Sequence, residues 1–160
     1  MHNIRLRGPW EYLPLAHTLL LSDGSASQQT DDLPEGGRMR IPADWSAALG
    51  TFRGRVRFTR FFNQPTGLEK GDTVWLVVEP PDAWGEVRLN DGALGSVAAG
   101  EPAARYDVTD RLLERNELII EVECPQVTPE SAPLTRPEDR TEEDAGGLVG
   151  EVRLEIDSEF

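Results

Sequence analysis

Residues 55–63 read Arg55-Val56-Arg57-Phe58-Thr59-Arg60-Phe61-Phe62-Asn63, and this stretch decides the fold. Val56, Phe58 and Phe62 alternate with Arg55, Arg57, Thr59 and Asn63. A period of two residues is that of a strand with one buried and one wet face. Arg60 falls in register with the apolar side. A charge there needs a partner. The expectation is a structural ion pair with an acid from a neighbouring strand, with Asp107 as the candidate.

The same signal recurs on both sides of this stretch. Thr73-Val74-Trp75-Leu76-Val77-Val78-Glu79 is almost continuously apolar and is stopped by Pro80 and Pro81. It is too short for a convincing helix and predicts a central strand covered on both faces. Leu118, Ile120 and Val122 alternate with Glu117, Glu121 and Glu123, and Val152, Leu154 and Ile156 with Glu151, Arg153 and Glu155. Both patterns predict antiparallel strands with one wet face. Asn90-Asp91-Gly92 is a tight-turn signal, because these residues tolerate positive φ. Helices are expected to be short: one or two turns over residues 43 to 49, ending near Gly50, and a turn through Leu112 and Leu113 capped by Thr109. Many short strands divided by turns predict an all-β sandwich or barrel. Two segments, 22–37 and 128–147, are polar and long for connections and are expected to be functional or flexible loops.

The chain has 160 residues, enough for one domain with its own core, and the expectation is a single domain over 1–160. Its formal net charge is −13, which argues against a nucleic-acid partner and against an anionic membrane surface. Arg38, Arg40, Arg53, Arg55, Arg57 and Arg60 nevertheless cluster. They are either strands facing acidic strands or water, or an anion-binding face. Cys124 is the only cysteine, so no intramolecular disulfide can form. The N-terminus lacks the pattern of a signal peptide and no apolar run reaches membrane-spanning length, so a cytoplasmic location is expected.

In chain order, several short motifs resemble the N-terminal sugar-binding domain of glycoside hydrolase family 2. Gly8-Pro9-Trp10 is similar to that family's opening, and Ile41-Pro42-Ala43-Asp44-Trp45 to its Val-Pro-x-x-Trp. Phe58-Thr59-Arg60-Phe61-Phe62 with Pro65 resembles its Tyr-x-Arg-x-Phe-x-x-Pro strand. Val87-Arg88-Leu89-Asn90 with Leu94-Gly95, Tyr106-Asp107-Val108-Thr109-Asp110, Asn116-Glu117-Leu118 and Gly146-Gly147-Leu148 follow in the family's order. The resemblance implies a jelly-roll β-sandwich of the galactose-binding type. Asp91 stands where the family usually has Gly. Nothing resembles the family's catalytic barrel and its carboxylate pair, so the chain is expected not to be an enzyme by itself. Asn116-Glu117 echoes the family's acid/base dipeptide but lies at the start of a strand the resemblance already explains.

Candidate chemistry is sparse. His2 and His17 have no neighbours at zinc-ligand spacing, so no metal or other cofactor is expected. Asp31, Asp32, Asp107 and Asp110 are the acids that could contribute to a structural calcium site. Sugar recognition sets aromatic faces against the sugar ring and planar polar groups against hydroxyls. Trp75 is expected in the core, Trp10 and Trp45 to be structural, and Trp84 to lie at a loop or strand edge. The candidate ligand-binding residues are Trp84 with Glu86, Asn90 and Asp91. The function expected is a non-catalytic carbohydrate-binding module. The alternatives are a protein–protein or homo-oligomerisation module, and the detached domain of a split glycosidase.

Overall fold

A computed structural model describes residues 2–21, 23, 25–126 and 146–158. The strands are β1 (His2–Arg5), β2 (Trp10–Leu20), β3 (Ala26–Gln29), β4 (Gly37–Met39), β5 (Gly54–Asn63), β6 (Thr73–Val78), β7 (Trp84–Leu89), β8 (Gly92–Ala98), β9 (Ala104–Asp107), β10 (Arg115–Cys124) and β11 (Val152–Asp157). One helical turn, α1 (Ser46–Leu49), and one 3-10 turn (Thr109–Arg111) interrupt them.

The strands form two antiparallel sheets. The smaller has the order β1-β11-β6-β9; the larger runs β3-β2-β5-β10-β7-β8, with β4 also on β2. Inward positions of both sheets meet in one core. Val56, Phe58, Leu118, Ile120 and Val87 come from the large sheet, and Val74, Leu76, Val78, Leu154 and Val152 from the small one. The architecture is an all-β sandwich, as the alternation in residues 55–63 predicts.

Trp10 and Trp45 close the core and are wholly buried. A buried indole must place its N–H. Trp10 Nε1 donates to Leu6 O at 2.7 Å, and Trp45 Nε1 to Phe52 O at 3.0 Å. Asn90 and Asp91 have φ of 51° and 67°, and Leu89 pairs with Gly92, so they form the two-residue turn between β7 and β8. Asp91 thus adopts the conformation for which the family resemblance supplies Gly.

Several expectations are corrected. Segment 22–37 is not all loop: residues 26–29 form β3, paired with β2 from His17↔Gln29 to Leu20↔Ala26. The segment 128–147 lies outside the described residues except for Gly146 and Gly147. The helix expected at 43–49 is the single turn α1. Thr109 does not cap its turn from outside. Asp107 Oδ1 accepts from Thr109 N and from Thr109 Oγ1 (2.6 Å), and Thr109 Oγ1 accepts from Val74 N, tying the turn to β6.

Trp75 is not in the core. It is half-buried on the outer face of the small sheet, with the Arg105 guanidinium 5.2 Å from its ring centroid. Period two holds even in this apolar run: Val74, Leu76 and Val78 point inward, while Trp75 and Val77 point outward.

Nor are all of the wet faces wet. Glu155 is 5% exposed; it accepts from Arg105 Nη1 at 2.7 Å and from Arg153 Nε at 2.8 Å. Glu123 is 3% exposed and accepts from Gln28 Nε2 at 2.9 Å. On the large sheet Arg57 Nε donates to Glu121 Oε2 at 3.0 Å, and Arg55 lies among Glu86, Glu121 and Glu123. Part of the arginine cluster therefore answers the acidic strand β10, in agreement with strands facing acidic strands.

Arg60 does not pair with Asp107. Its Nη1 donates to Phe61 O, and Asp107 is engaged by Thr109. The pairing pattern gives the reason. β2 pairs β5 from Glu11↔Thr59 to His17↔Gly54, so from Arg60 onward β5 has β10 alone as neighbour. At that open edge the Arg60 guanidinium turns to a carbonyl of its own strand, while Phe62 stays in the core.

Candidate functional site

Among the described residues a concavity lies where β2, β3 and the turn after α1 converge. It measures about 990 Å³. The strand pairings bring its walls together from separate parts of the sequence. Thr18 N donates to Arg53 O at 3.2 Å, and Gln126 N donates to Thr18 O at 2.8 Å. These contacts hold the end of β2 between the start of β5 and the end of β10. Gly54 allows the close approach: a Cβ there would lie 1.9 Å from Ala16 O, beside the irregularity between Pro14 and Ala16 in β2.

His17 and Phe52 form the aromatic wall, with ring centroids 5.1 Å apart and planes tilted by 56°. His17 Nε2 lies 3.2 Å from Asp32 O. A carbonyl oxygen only accepts, so Nε2 is the donor in this contact. Phe52 is 7% exposed, so the ring open to a ligand is that of His17. Asp31 and Asp32 supply carboxylates to the lining, Gln29 and Gln126 amides, and Thr51 a hydroxyl. A sugar hydroxyl donates and accepts at once, and this mixture offers both functions around one space.

The four residues expected to bind ligand are not brought together. Trp84 opens β7, whereas Asn90 and Asp91 lie in the turn beyond its other end, roughly 20 Å away at about 3.3 Å per strand residue. Trp84 is partly buried and packs on the edge of the core. Glu86 is on the outer face, 3.7 Å from Arg55 Nη2. Asn90 is occupied by the fold. Its Nδ2 donates to Arg111 O and Asn116 Oδ1, and its Oδ1 accepts from Glu117 N. Asp91 remains exposed at the turn. Asn116 is wholly buried, and its amide joins Leu113 and Phe62.

The calcium candidates also separate. Asp31 and Asp32 line the cleft, while Asp107 and Asp110 lie on β9 and the turn that follows. Among the described residues no three His, Cys, Asp or Glu side chains are grouped to hold a metal ion. No helix among them is long and apolar enough to cross a membrane.

Sequence reading missed His17, Phe52, Gln29 and Gln126 as a set because no local motif joins them. The one available signal was the polar run Ser27-Gln28-Gln29-Thr30-Asp31-Asp32, which reads as a loose loop until β3 is seen to pair.

Comparison with solved structures places the architecture. Over 97% of the chain it superposes on an FMN-binding β-glucuronidase from Faecalibacterium prausnitzii, with a TM-score of 0.67 and 23% identity, covering 22% of that enzyme. A Bifidobacterium dentium β-glucuronidase gives 0.67 and 21% over 97% of this chain and 30% of its own. A β-D-mannosidase from Dictyoglomus thermophilum gives 0.64 and 16%, again over 97% of this chain and 22% of its own. The fold is that of a domain of family 2 glycoside hydrolases. At these identities the likeness concerns the fold alone. The chain spans less than a third of the length of each of these three enzymes. No protein-family model matches the sequence, and no curated protein matches it.

Proposed function

We propose that this domain binds carbohydrate and does not itself cleave it. The observation that carries the reading is the cleft of about 990 Å³, where the His17 ring, the Asp31 and Asp32 carboxylates and two glutamine amides converge. This is the arrangement that holds a polyhydroxylated ring: a flat surface on one side, planar polar groups at the rim. The likeness to a domain of glycosidases supports the ligand class, since those enzymes act on sugars. Trp84, Glu86, Asn90 and Asp91 do not form one site, so the cleft takes their place in the proposal.

A glycan-array screen followed by titration calorimetry tests it. Reproducible binding that weakens at least tenfold in Asp31→Asn/Asp32→Asn, with an unchanged melting temperature, supports the cleft. Binding lost instead in Trp84→Ala would move the site to β7.

A second reading is favoured by Leu13, Leu19 and Leu21, which are 49%, 39% and 39% exposed on and just beyond β2. Exposed leucines, two of them (Leu19 and Leu21) only two residues apart, suit a protein partner or a second copy, including the barrel chain of a split glycosidase. Silence across the array together with a dimer in ultracentrifugation would select this reading.

A further inference from the structure

The opposite end of the large sheet carries a second feature, independent of the cleft. Arg60 and Arg115 line one cavity of about 280 Å³ with Phe61, Phe62 and Asn63. Arg115 lies over the Phe61 ring, 5.0 Å from its centroid. Arg60 is partly buried. Its Nη1 is spent on Phe61 O, and its Nε is buried without a hydrogen-bond partner.

Five arginines on the outer faces behave differently. Arg5, Arg55, Arg57, Arg105 and Arg153 each meet a glutamate within 4 Å. Among the described residues Arg60 and Arg115 meet none. A chain of net charge −13 has ample acids to neutralise two arginines, yet leaves these two beside the same cavity. The open edge explains how they reach it: residues 60–63 of β5 have lost β2, and Arg115 sits opposite Asn63 on β10.

We propose that Arg60 and Arg115 form a binding site for the carboxylate of a small organic acid. A guanidinium offers a planar fork of donors that matches a carboxylate with two parallel hydrogen bonds. Arg60 keeps a guanidinium that no acid among the described residues neutralises within 4 Å, its Nε buried without a partner, and so adds positive potential beside the cavity. Arg115 is held in place by stacking on Phe61, so less side-chain freedom is lost on binding. The adjoining cavity of about 290 Å³ shares Phe61 and Arg115 but is also lined by Asp91 and Glu117. Their charges repel an anion and direct it to the Arg60 side.

The carboxylate could belong to a sugar acid or to a simple acid, and the experiment separates these. The full chain is titrated with sodium galacturonate, galactose and sodium acetate, with backbone amide NMR as the readout. The expected result is saturable shifts at Phe61, Phe62 and Arg115 with galacturonate, none with galactose, and weakening as ionic strength rises. Acetate producing the same shifts with equal affinity assigns the site to simple acids, and acetate failing assigns it to sugar acids. Arg115→Gln, an exposed change, should weaken binding at least tenfold. Arg60→Met, which keeps the apolar stem, should do the same with a melting temperature within a few degrees of the parent. Asp91→Asn should tighten it. Shifts that galactose reproduces, no shifts with either acid, or unchanged affinity in Arg115→Gln would overturn the proposal; the last decides the matter even if Arg60→Met fails to fold.

Discussion

Replacing Asn116 tests how the end of the sandwich is held. Asn116 is wholly buried at the first pair of residues in β10 and accepts or donates four hydrogen bonds. Its Oδ1 accepts from Leu113 N at 2.8 Å and from Asn90 Nδ2 at 2.9 Å. Its Nδ2 donates to Leu113 O at 2.9 Å and to Phe62 O at 3.3 Å. In Asn116→Ala these partners lose their bonds in a place from which water is excluded. An unsatisfied buried group costs about 1–3 kcal/mol, and some of these partners will relax toward solvent, so the total is about 3 kcal/mol. At roughly 2–4 °C per kcal/mol for a chain of this size, the melting temperature falls by about 6–12 °C.

Asn116→Asp separates hydrogen bonding from shape. The new Oδ2 takes the place of Nδ2 and faces the carbonyls of Phe62 and Leu113. The ionised form has no donor to offer them, so the folded-state pKa of this Asp lies above its unfolded value near 3.9. A group with a raised carboxylate pKa binds more protons folded than unfolded, so stability falls as pH rises. The deficit of Asn116→Asp relative to the parent is therefore largest at pH 7 and shrinks as pH falls toward 4. Melting curves by circular dichroism at pH 7 and pH 4.5 measure both effects. A fall under 2 °C for Asn116→Ala, or an Asn116→Asp deficit independent of pH, would refute the account.

Other consequences are equally direct. Hydrogen bonds from Arg105 and Arg153 hold the Glu155 carboxylate below its ordinary range despite burial. Its stabilisation is present above the unfolded pKa near 4.3 and lost as pH falls through the lower folded value, so Glu155→Gln should flatten stability against pH in acid and cost about 1–3 kcal/mol at pH 7 by urea titration. Gly54→Ala should cost more than 3 kcal/mol, because its Cβ would sit 1.9 Å from Ala16 O, whereas Gly50→Ala, with φ of 61° and ψ of −128° but open space, should cost about 1–3 kcal/mol. Equal effects in thermal melts would undo that argument. Trp84→Ala should lower stability by about 2 kcal/mol through lost packing at the core edge; no change in chemical denaturation would place Trp84 outside the core.

The alternation in residues 55–63, 118–122 and 152–156 made the sandwich legible, because inward and outward positions differ in polarity along each strand. The family resemblance added the jelly-roll type of the sandwich and the structural roles of Trp10 and Trp45. What pattern could not convey was pairing. β3 is one alanine and three polar residues, all exposed, and only its bonds to β2 make it a strand. Trp75 reads as core by hydrophobicity, but period two turns it outward, where Arg105 shields it. Glu155 and Glu123 read as wet and are buried, because neighbouring long side chains cover them. Arg60 invited a partner across the sandwich, yet the pairing of β2 with β5 stops at Thr59, one residue short of it. The cleft was illegible for the same reason: its walls come from residues near 17, 29, 52 and 126, joined by pairing and not by spacing.

The pairing of β1 with β11 has a topological consequence. His2 lies opposite Ile156 and Arg5 opposite Arg153 in adjacent antiparallel strands. The two ends of the described polypeptide therefore leave the same sheet side by side. A few flexible residues could join them without disturbing the core, and new ends could be opened at an exposed site such as Gly67. The sandwich behaves as a closed loop of strands that happens to be cut once, and a circularly permuted chain should fold to the same two sheets. For the same reason a host protein could carry it as a single insert within one of its own surface loops.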